Sequence, residues 1–93
     1  MKQIMINLDY QSRTPIYEQI VNGIEKYVAV GILKEKVQIP SIREMASNLG
    51  INPNTVKKSY DILEGRGVIT TISTKGTFIS EDTKKATNEK INK

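Results

Sequence analysis

A helix stop followed almost at once by a helix start is the feature that most constrains how this chain can fold. Gly50 is a typical helix end, because glycine readily adopts the left-handed conformation that closes a helix. Only Ile51 separates it from Asn52-Pro53, a capping side chain followed by a residue suited to the first helical turn. The spacing predicts two helices joined by a turn of about three to four residues, which is the helix-turn-helix arrangement.

Both helices of this motif carry further sequence signals. Ser41 and Glu44 have the spacing of a capping box, which predicts that the first helix of the motif, the second of the chain, begins at Ser41. The other helix of the motif, the third of the chain, is expected to end at Gly65 and Gly67. The predicted buried stripe of this third helix is Val56, Tyr60 and Leu63, and that of the second helix is Ile42, Met45, Ala46 and Leu49.

Another helix is predicted upstream, over about residues 15–30. Thr14 is the expected cap, Pro15 the first helical residue and Gly31 the stop. Residues 31–40 are interpreted as a connection without an element of its own, and residues 4–8 as a brief strand or extended arm. The apolar face of this helix is Ile16, Ile20, Ile24, Tyr27 and Val28.

Two β-prone runs, residues 68–72 and 77–79, follow the third helix and predict a hairpin. Together these elements make a mostly α domain with a small β-hairpin, a winged helix-turn-helix. We assign residues 1–9 to an N-terminal strand or arm, residues 10–80 to the winged helix-turn-helix domain, and residues 81–93 to a polar tail.

Composition narrows the function. The chain has no Cys and no His, which removes disulfides, thiolate metal sites and the usual zinc ligand, so we expect no catalytic residue, metal or cofactor. It also has no apolar run long enough to span a membrane and no signal-peptide pattern, which predicts a cytoplasmic location and no membrane partner. The net charge of +4 favours a polyanionic partner, although solvated lysines give the same balance.

The third helix carries polar side chains opposite its apolar stripe. Asn54 can pair with an adenine edge, Lys57 can reach a guanine edge, and Lys58 can meet phosphate. Asp61 is expected where the helix leaves the groove. The alternative is that Lys57-Lys58 is only a solvated face, but its position directly after the turn favours DNA.

Two further positions are candidates for DNA contact. Arg43, at the start of the second helix, can reach phosphate or a base, since a pair with the adjacent Glu44 is geometrically poor. Lys75-Gly76-Thr77 at the hairpin tip can enter the minor groove, although Gly76 is equally explained by a need for positive φ.

Several runs of the sequence resemble, in order and spacing, the DNA-binding domain of the GntR family of bacterial transcription regulators, and within it the YtrA-like subfamily. The resemblance covers about residues 4–80. The runs are Thr14-Pro15-Ile16-Tyr17-Glu18-Gln19-Ile20, Gly31-Ile32-Leu33, Pro40-Ser41-Ile42-Arg43-Glu44-Met45-Ala46, Leu49-Gly50-Ile51-Asn52-Pro53-Asn54-Thr55-Val56, Tyr60, Leu63-Glu64 and Gly76-Thr77-Phe78-Ile79.

This resemblance implies a sequence-specific regulator, usually a repressor, that binds an inverted-repeat operator in double-stranded DNA as a homodimer. It implies contacts from Arg43, Asn52, Asn54, Thr55, Lys57 and Gly76. With the candidates named above, the predicted DNA-binding set is Ser41, Arg43, Asn52, Pro53, Asn54, Thr55, Lys57, Lys58, Lys75, Gly76 and Thr77. The alternative function is a winged-helix protein-interaction module without specific DNA binding.

The sequence departs from the family pattern in four places. Glu35-Lys36 replaces the usual Pro-Gly, Thr74 replaces a glycine of the wing, and Pro53 replaces an arginine found in many other branches. The tail, residues 81–93, is shorter than the helical segment through which subfamily members dimerise. Whether this tail, as part of a dimerisation helix, suffices for dimerisation stays open, as do the effector and the operator sequence.

Overall fold

Residues 6–81, which the computed structural model describes, form three helices and a three-stranded sheet. The predictions for residues 1–5 and 82–93 lie outside these described residues. The helices are α1 (Ile16–Ala29), α2 (Ile42–Leu49) and α3 (Pro53–Gly65), and the strands are β1 (Gln38–Ile39), β2 (Ile69–Ile72) and β3 (Gly76–Ile79). The predicted mostly α fold with a β-hairpin is confirmed.

The turn between α2 and α3 forms as the sequence predicts. Gly50 takes φ +68°, and the amide of Ile51 donates to the carbonyl of Ala46 at 3.0 Å, which is the hydrogen bond of a Schellman closure. The Asn52 side chain then accepts from the amide of Asn54 at 2.8 Å and caps α3. Two helices are thereby joined with no further loop.

The predicted capping box of α2 is also present. The Ser41 hydroxyl accepts from the Glu44 amide at 3.1 Å, and the Glu44 carboxylate accepts from the Ser41 amide at 3.2 Å. Both contacts satisfy amide groups that the first helical turn leaves without an intrahelical partner. The first turn of α2, which carries Arg43, is therefore held by its own side chains.

The expected cap of α1 is wrong. The residue before the helix is Pro15, and no side chain caps it. The carbonyl of Thr14 instead accepts from the Gln19 side-chain amide at 2.8 Å. The Gln19 side chain also forms two hydrogen bonds with the backbone of Asp9. It therefore connects the N-terminal segment to this end of α1.

The N-terminal segment forms no strand over residues 6–9. Ile6 and Leu8 pack against the core, and Ile6 lies beside Gly23 of α1, where a side chain would come within van der Waals contact of it. At the end of this segment the backbone of Asp9 is bonded to the Gln19 side chain of α1 and not to a strand. Residues 4 and 5 of the predicted arm lie outside the described part of the chain.

Residues 31–40 are not purely a connection, because they contain β1. The sheet order is β1-β3-β2, all antiparallel, with Gln38 opposite Phe78 and Ile69 opposite Ile79. A strand of two residues has no periodicity to detect, and its partner β3 lies far along the chain. The hairpin β2-β3 was predictable because its strands are adjacent in sequence.

The core lies between the three helices and one side of the sheet. Tyr60 crosses it, and its hydroxyl donates to the carbonyl of Pro40 at 2.7 Å. Burial raises the pKa of Tyr60, so the phenol stays protonated and keeps this bond. The buried apolar residues are Ile20, Val21, Ile24, Leu33, Ile39, Met45, Ala46, Val56, Tyr60, Leu63, Val68, Ile69 and Ile79.

Two of the departures from the family pattern lie at residues with left-handed backbone. Lys36 has φ +68° and Thr74 has φ +70°, conformations that cost a non-glycine residue free energy. Thr74 is the third residue of a turn closed by a hydrogen bond from the Lys75 amide to the Ile72 carbonyl at 3.0 Å. Glycine or asparagine is usual at this position of a type II turn, and a β-branched residue is strained there.

We predict that Thr74→Gly stabilises the protein by up to about 1.5 kcal/mol. Relief of left-handed strain is worth about 1–2 kcal/mol, and the extra entropy of glycine in the unfolded chain offsets about 0.5–1 kcal/mol of it. The free energy of unfolding in denaturant measures the change. Ser73→Gly is the matched control: Ser73 has no positive φ, so this substitution should destabilise. A loss of stability in both variants contradicts the strain at Thr74.

Candidate nucleic-acid interface

The exposed beginning of α3 is the surface that the helix-turn-helix presents outward. Asn52, Pro53 and Asn54 are all exposed, and the half-buried Thr55 follows them. Asn52 uses its side-chain oxygen for the cap, whereas the side chain of Asn54 forms no hydrogen bond within residues 6–81. Asn54 is thus available to a base edge, and the cap fixes the direction in which it leaves the helix.

Lys57 lies on the same surface and is paired with an acidic side chain. Its ammonium lies 2.8 Å from a carboxylate oxygen of Asp61, one helical turn further on, and both side chains are more than half exposed, at 62% and 58%. The hydrogen bond and charge of Asp61 raise the pKa of Lys57. The spacing of four residues between Lys57 and Asp61 is itself typical of an ion pair on a helix, although the sequence analysis above does not predict this pair.

Lys58 is placed differently from Lys57. Its ammonium lies over the ring of Tyr17, 3.9 Å from the centroid, so the side chain turns toward α1 instead of sharing the face of Lys57 and Asp61. Lys58 is exposed, as the sequence predicts, but its ammonium lies over Tyr17. This cation-π contact is made with a residue of α1, which no local pattern in α3 indicates.

The start of α2 contributes Arg43 and Ser41. Glu44 is engaged with Ser41 in the capping box, so no Arg43–Glu44 pair forms. Arg43 is exposed, and no residue in the described range 6–81 forms a hydrogen bond or ion pair with it. Its guanidinium is therefore free to meet a phosphate or a base from outside the protein.

The candidate residues of the wing differ in how far their side chains are exposed. Lys75 is exposed at the tip, and its carbonyl accepts from the Gln38 side-chain amide at 3.1 Å. Thr77 is only 6% exposed, so its side chain does not belong to the outer surface, contrary to prediction. The reason is the alternation along β3, which turns Thr77 and Ile79 inward and leaves Phe78 partly exposed.

Gly76 has both a conformational and a packing reason to be glycine. Its φ is +122°, and a Cβ there would lie 2.6 Å from the Gln38 amide nitrogen. The sequence indicated the need for positive φ at Gly76. It gave no signal for the approach of Gln38, since this contact depends on the pairing of β1 with β3. Gln38 and Tyr17 are thus site residues that only the three-dimensional structure reveals.

Other kinds of site find little support in this part of the molecule. Within residues 6–81, no helix is long and apolar enough to cross a membrane, and no three metal-ligating side chains lie together.

Comparison with protein families decides what kind of domain this is. The family model described as bacterial regulatory proteins, gntR family, matches residues 16–79, from the first residue of α1 to the last of β3. The chain belongs to the GntR family. The resemblance drawn from the sequence runs is confirmed, and with it the winged helix-turn-helix fold of a GntR domain.

Similar proteins place this GntR domain near YtrA-type regulators. The repressor YtrA of Bacillus subtilis is 46% identical over 80 residues, which are 86% of this chain and 62% of the relative. YtrA from Sulfolobus acidocaldarius, a GntR-family transcription factor, superposes with a TM-score of 0.77 at 36% identity, covering 94% of this chain and 78% of that structure. These relatives are transcription regulators, not enzymes.

A solved protein from Listeria monocytogenes, described as a transcriptional antiterminator, superposes with a TM-score of 0.80 at 44% identity, over 95% of this chain and 70% of that one. This chain spans less than two thirds of the length of the Bacillus YtrA repressor.

Gly76→Ala should destabilise the wing by about 1–3 kcal/mol, the cost of a side chain in a sparsely populated backbone region. The clash with Gln38 contributes less, because the amide at the end of a flexible side chain can move away. A double-mutant cycle with Gln38→Ala separates the two causes. We expect most of the loss measured by denaturant unfolding to persist in Gln38→Ala; its disappearance there would make the clash the main cause.

Proposed function

We propose that this chain is the DNA-binding part of a transcription repressor that binds an operator through α3 in the major groove and the wing in the minor groove. The observation that carries this proposal is the exposed beginning of α3, where the rigid turn presents Asn54 and Lys57 outward. The name of the Bacillus relative, a transcriptional repressor, supports the direction of regulation. We propose that the protein acts in the cytoplasm.

The proposed contacts divide into two kinds. Asn54 and Lys57 read base edges, because amide and ammonium groups donate to adenine and guanine in the major groove. Arg43, Lys58 and Lys75 meet phosphates. Lys58 can do so by leaving the Tyr17 ring, since an exposed cation-π contact is worth only about 0.5–1 kcal/mol.

We further propose that two copies bind an inverted repeat. A single reading helix covers only a short half-site, and a two-fold pair of helices doubles the sequence read. The polar tail, residues 81–93, is proposed as part of the segment that joins the two copies. The net charge of +4 on each copy supports attraction to the polyanionic duplex.

Selection from a random duplex library at near-physiological salt, with the mass of the complex recorded, tests this function. We expect an enriched inverted repeat bound by two chains, with half-site centres about one helical turn apart. An enriched single half-site bound by one chain supports DNA reading but contradicts dimerisation through this chain alone. Binding that enriches no sequence and disappears as salt rises contradicts the proposed function.

Lys57→Ala and Lys75→Ala should weaken binding in different ways. Loss of Lys57 is expected to cost about 1–3 kcal/mol and to relax preference at one position, because it contacts a base. Loss of Lys75 is expected to weaken binding equally across sequences and to reduce the salt slope by about 0.9, because it contacts phosphate. Affinities for the selected duplex and its single-base variants, measured over a salt series, separate these outcomes.

Lys26→Ala is a suitable control for both variants, since Lys26 lies in the last turn of α1. That end of α1 is tied by the Glu25–Arg66 ion pair to the far end of α3, away from Asn54. Equal effects of all three substitutions would indicate a general loss of positive charge instead of defined contacts.

A further inference from the structure

The Lys57–Asp61 ion pair places a donor and an acceptor side by side on the exposed face of α3. The two atoms lie 2.8 Å apart, and the structure gives Asp61 no other hydrogen-bond partner within residues 6–81. Both side chains are more than half exposed, so the pair is displayed to a ligand and is not a buried structural contact. An acidic residue on a DNA-facing helix repels phosphate, and its presence there needs a reason.

We infer that Lys57 and Asp61 act as one reading unit that selects a G·C pair, with guanine facing Lys57 and cytosine facing Asp61. This inference rests on the proposed function and names a specificity-determining residue, Asp61, that the family resemblance does not supply. The unit keeps its ion pair when it binds. The ammonium donates to guanine, and the carboxylate accepts from the cytosine amino group.

The geometry of the base pair matches that of the side-chain pair. In a G·C pair the guanine O6 and the cytosine N4 are joined by a Watson–Crick hydrogen bond, so they lie about 2.7–3.2 Å apart, and both face the major groove. Lys57 Nζ and Asp61 Oδ2 have nearly the same separation, 2.8 Å. Donor therefore meets acceptor at both positions with little change in the arrangement of either pair.

The other three base pairs fit this unit less well. A C·G pair presents the cytosine amino donors to Lys57 and the guanine acceptors to Asp61, so both contacts oppose like polarities. A T·A pair offers the same central acceptor and donor, thymine O4 and adenine N6, but it places the thymine methyl group where guanine N7 would lie, so Lys57 meets one acceptor instead of two. An A·T pair sets the thymine O4 acceptor against Asp61. Only G·C offers two acceptors, N7 and O6, to the lysine and a donor to the aspartate.

The same ion pair discriminates against the DNA backbone. Contact of Lys57 with a phosphate either brings the Asp61 carboxylate close to a negative charge or requires the ammonium to leave Asp61. The G·C contact requires neither. A lysine ammonium is charged near neutral pH in both situations, and Asp61 raises the pKa of Lys57 further while the pair is formed. Asp61 thus weakens nonspecific binding more than specific binding.

Asp61→Asn tests the inference, because asparagine has the same shape but no charge and can donate as well as accept. The position read by Lys57 is first identified by library selection as the one that Lys57→Ala relaxes. We expect G·C at this position for the unmodified protein. For Asp61→Asn we expect the preference for G·C there to fall about tenfold, while every other position keeps its preference.

A second measurement follows nonspecific binding. Asp61→Asn frees Lys57 for a phosphate, so the salt slope on a duplex without the selected sequence should steepen by about 0.9. Glu64→Gln is the matched control. It removes the same charge from the next turn of α3. Glu64 contacts the Thr71 amide at 3.3 Å, and its charge has the smallest of the effects that raise the pKa of Lys57. We expect it to leave both the selected sequence and the slope unchanged.

The outcomes separate this inference from the proposed function. A library in which the unmodified protein enriches no sequence overturns the proposed function and the inference with it. An enriched sequence whose Lys57 position is not G·C, or is unaffected by Asp61→Asn, overturns the inference alone. So does an equal gain of affinity for all sequences in Asp61→Asn, because it would make Asp61 only a source of repulsion.

Discussion

The left-handed turn at Gly50 is the constraint on which the rest of this structure depends. It lets α2 end and α3 begin within three residues, because the Ile51 amide closes one helix while Asn52 caps the next. Since no loop intervenes, the relative placement of the two helices has little freedom. The same turn that directs the apolar stripe of α3 into the core directs Asn54 and Lys57 away from it.

Long-range polar contacts hold α3 in this orientation. Ser59 is buried, and its hydroxyl lies 2.9 Å from the carbonyl of Tyr17 in α1 and 3.1 Å from that of Thr55. Tyr60 donates to Pro40, immediately before α2. These bonds satisfy polar groups that would otherwise be costly inside the core. The Thr55 contact lies within α3, whereas the bonds to Tyr17 and Pro40 are available only when the helices take this arrangement. The exposed face of α3 keeps its orientation because the buried face of the same helix makes these specific hydrogen bonds.

The partner of each lysine on α3 is determined by its neighbours in space and not by the local sequence alone. Lys57 and Lys58 are adjacent, yet one pairs with a carboxylate on its own helix and the other lies over an aromatic ring of α1. A run of two lysines therefore does not behave as one basic patch. Arg43 differs from both because its neighbouring acid is already engaged in the capping box. These environments determine which cation is already engaged within the protein and which is free of internal partners among residues 6–81.

The sequence by itself determined the ends of α2 and α3, the capping box at Ser41, the turn at Gly50 and the hairpin, because each arises from residues at most a few positions apart. Only the tertiary structure decided the pairing of β1 with β3, the contact of Lys58 with Tyr17, the approach of Gln38 to Gly76 and the burial of Thr77. Gln38 and Lys75 are 37 residues apart, and neither carries a local signal for the other. Such contacts become readable only when folding has brought distant segments together, whereas capping and periodicity are properties of a single turn.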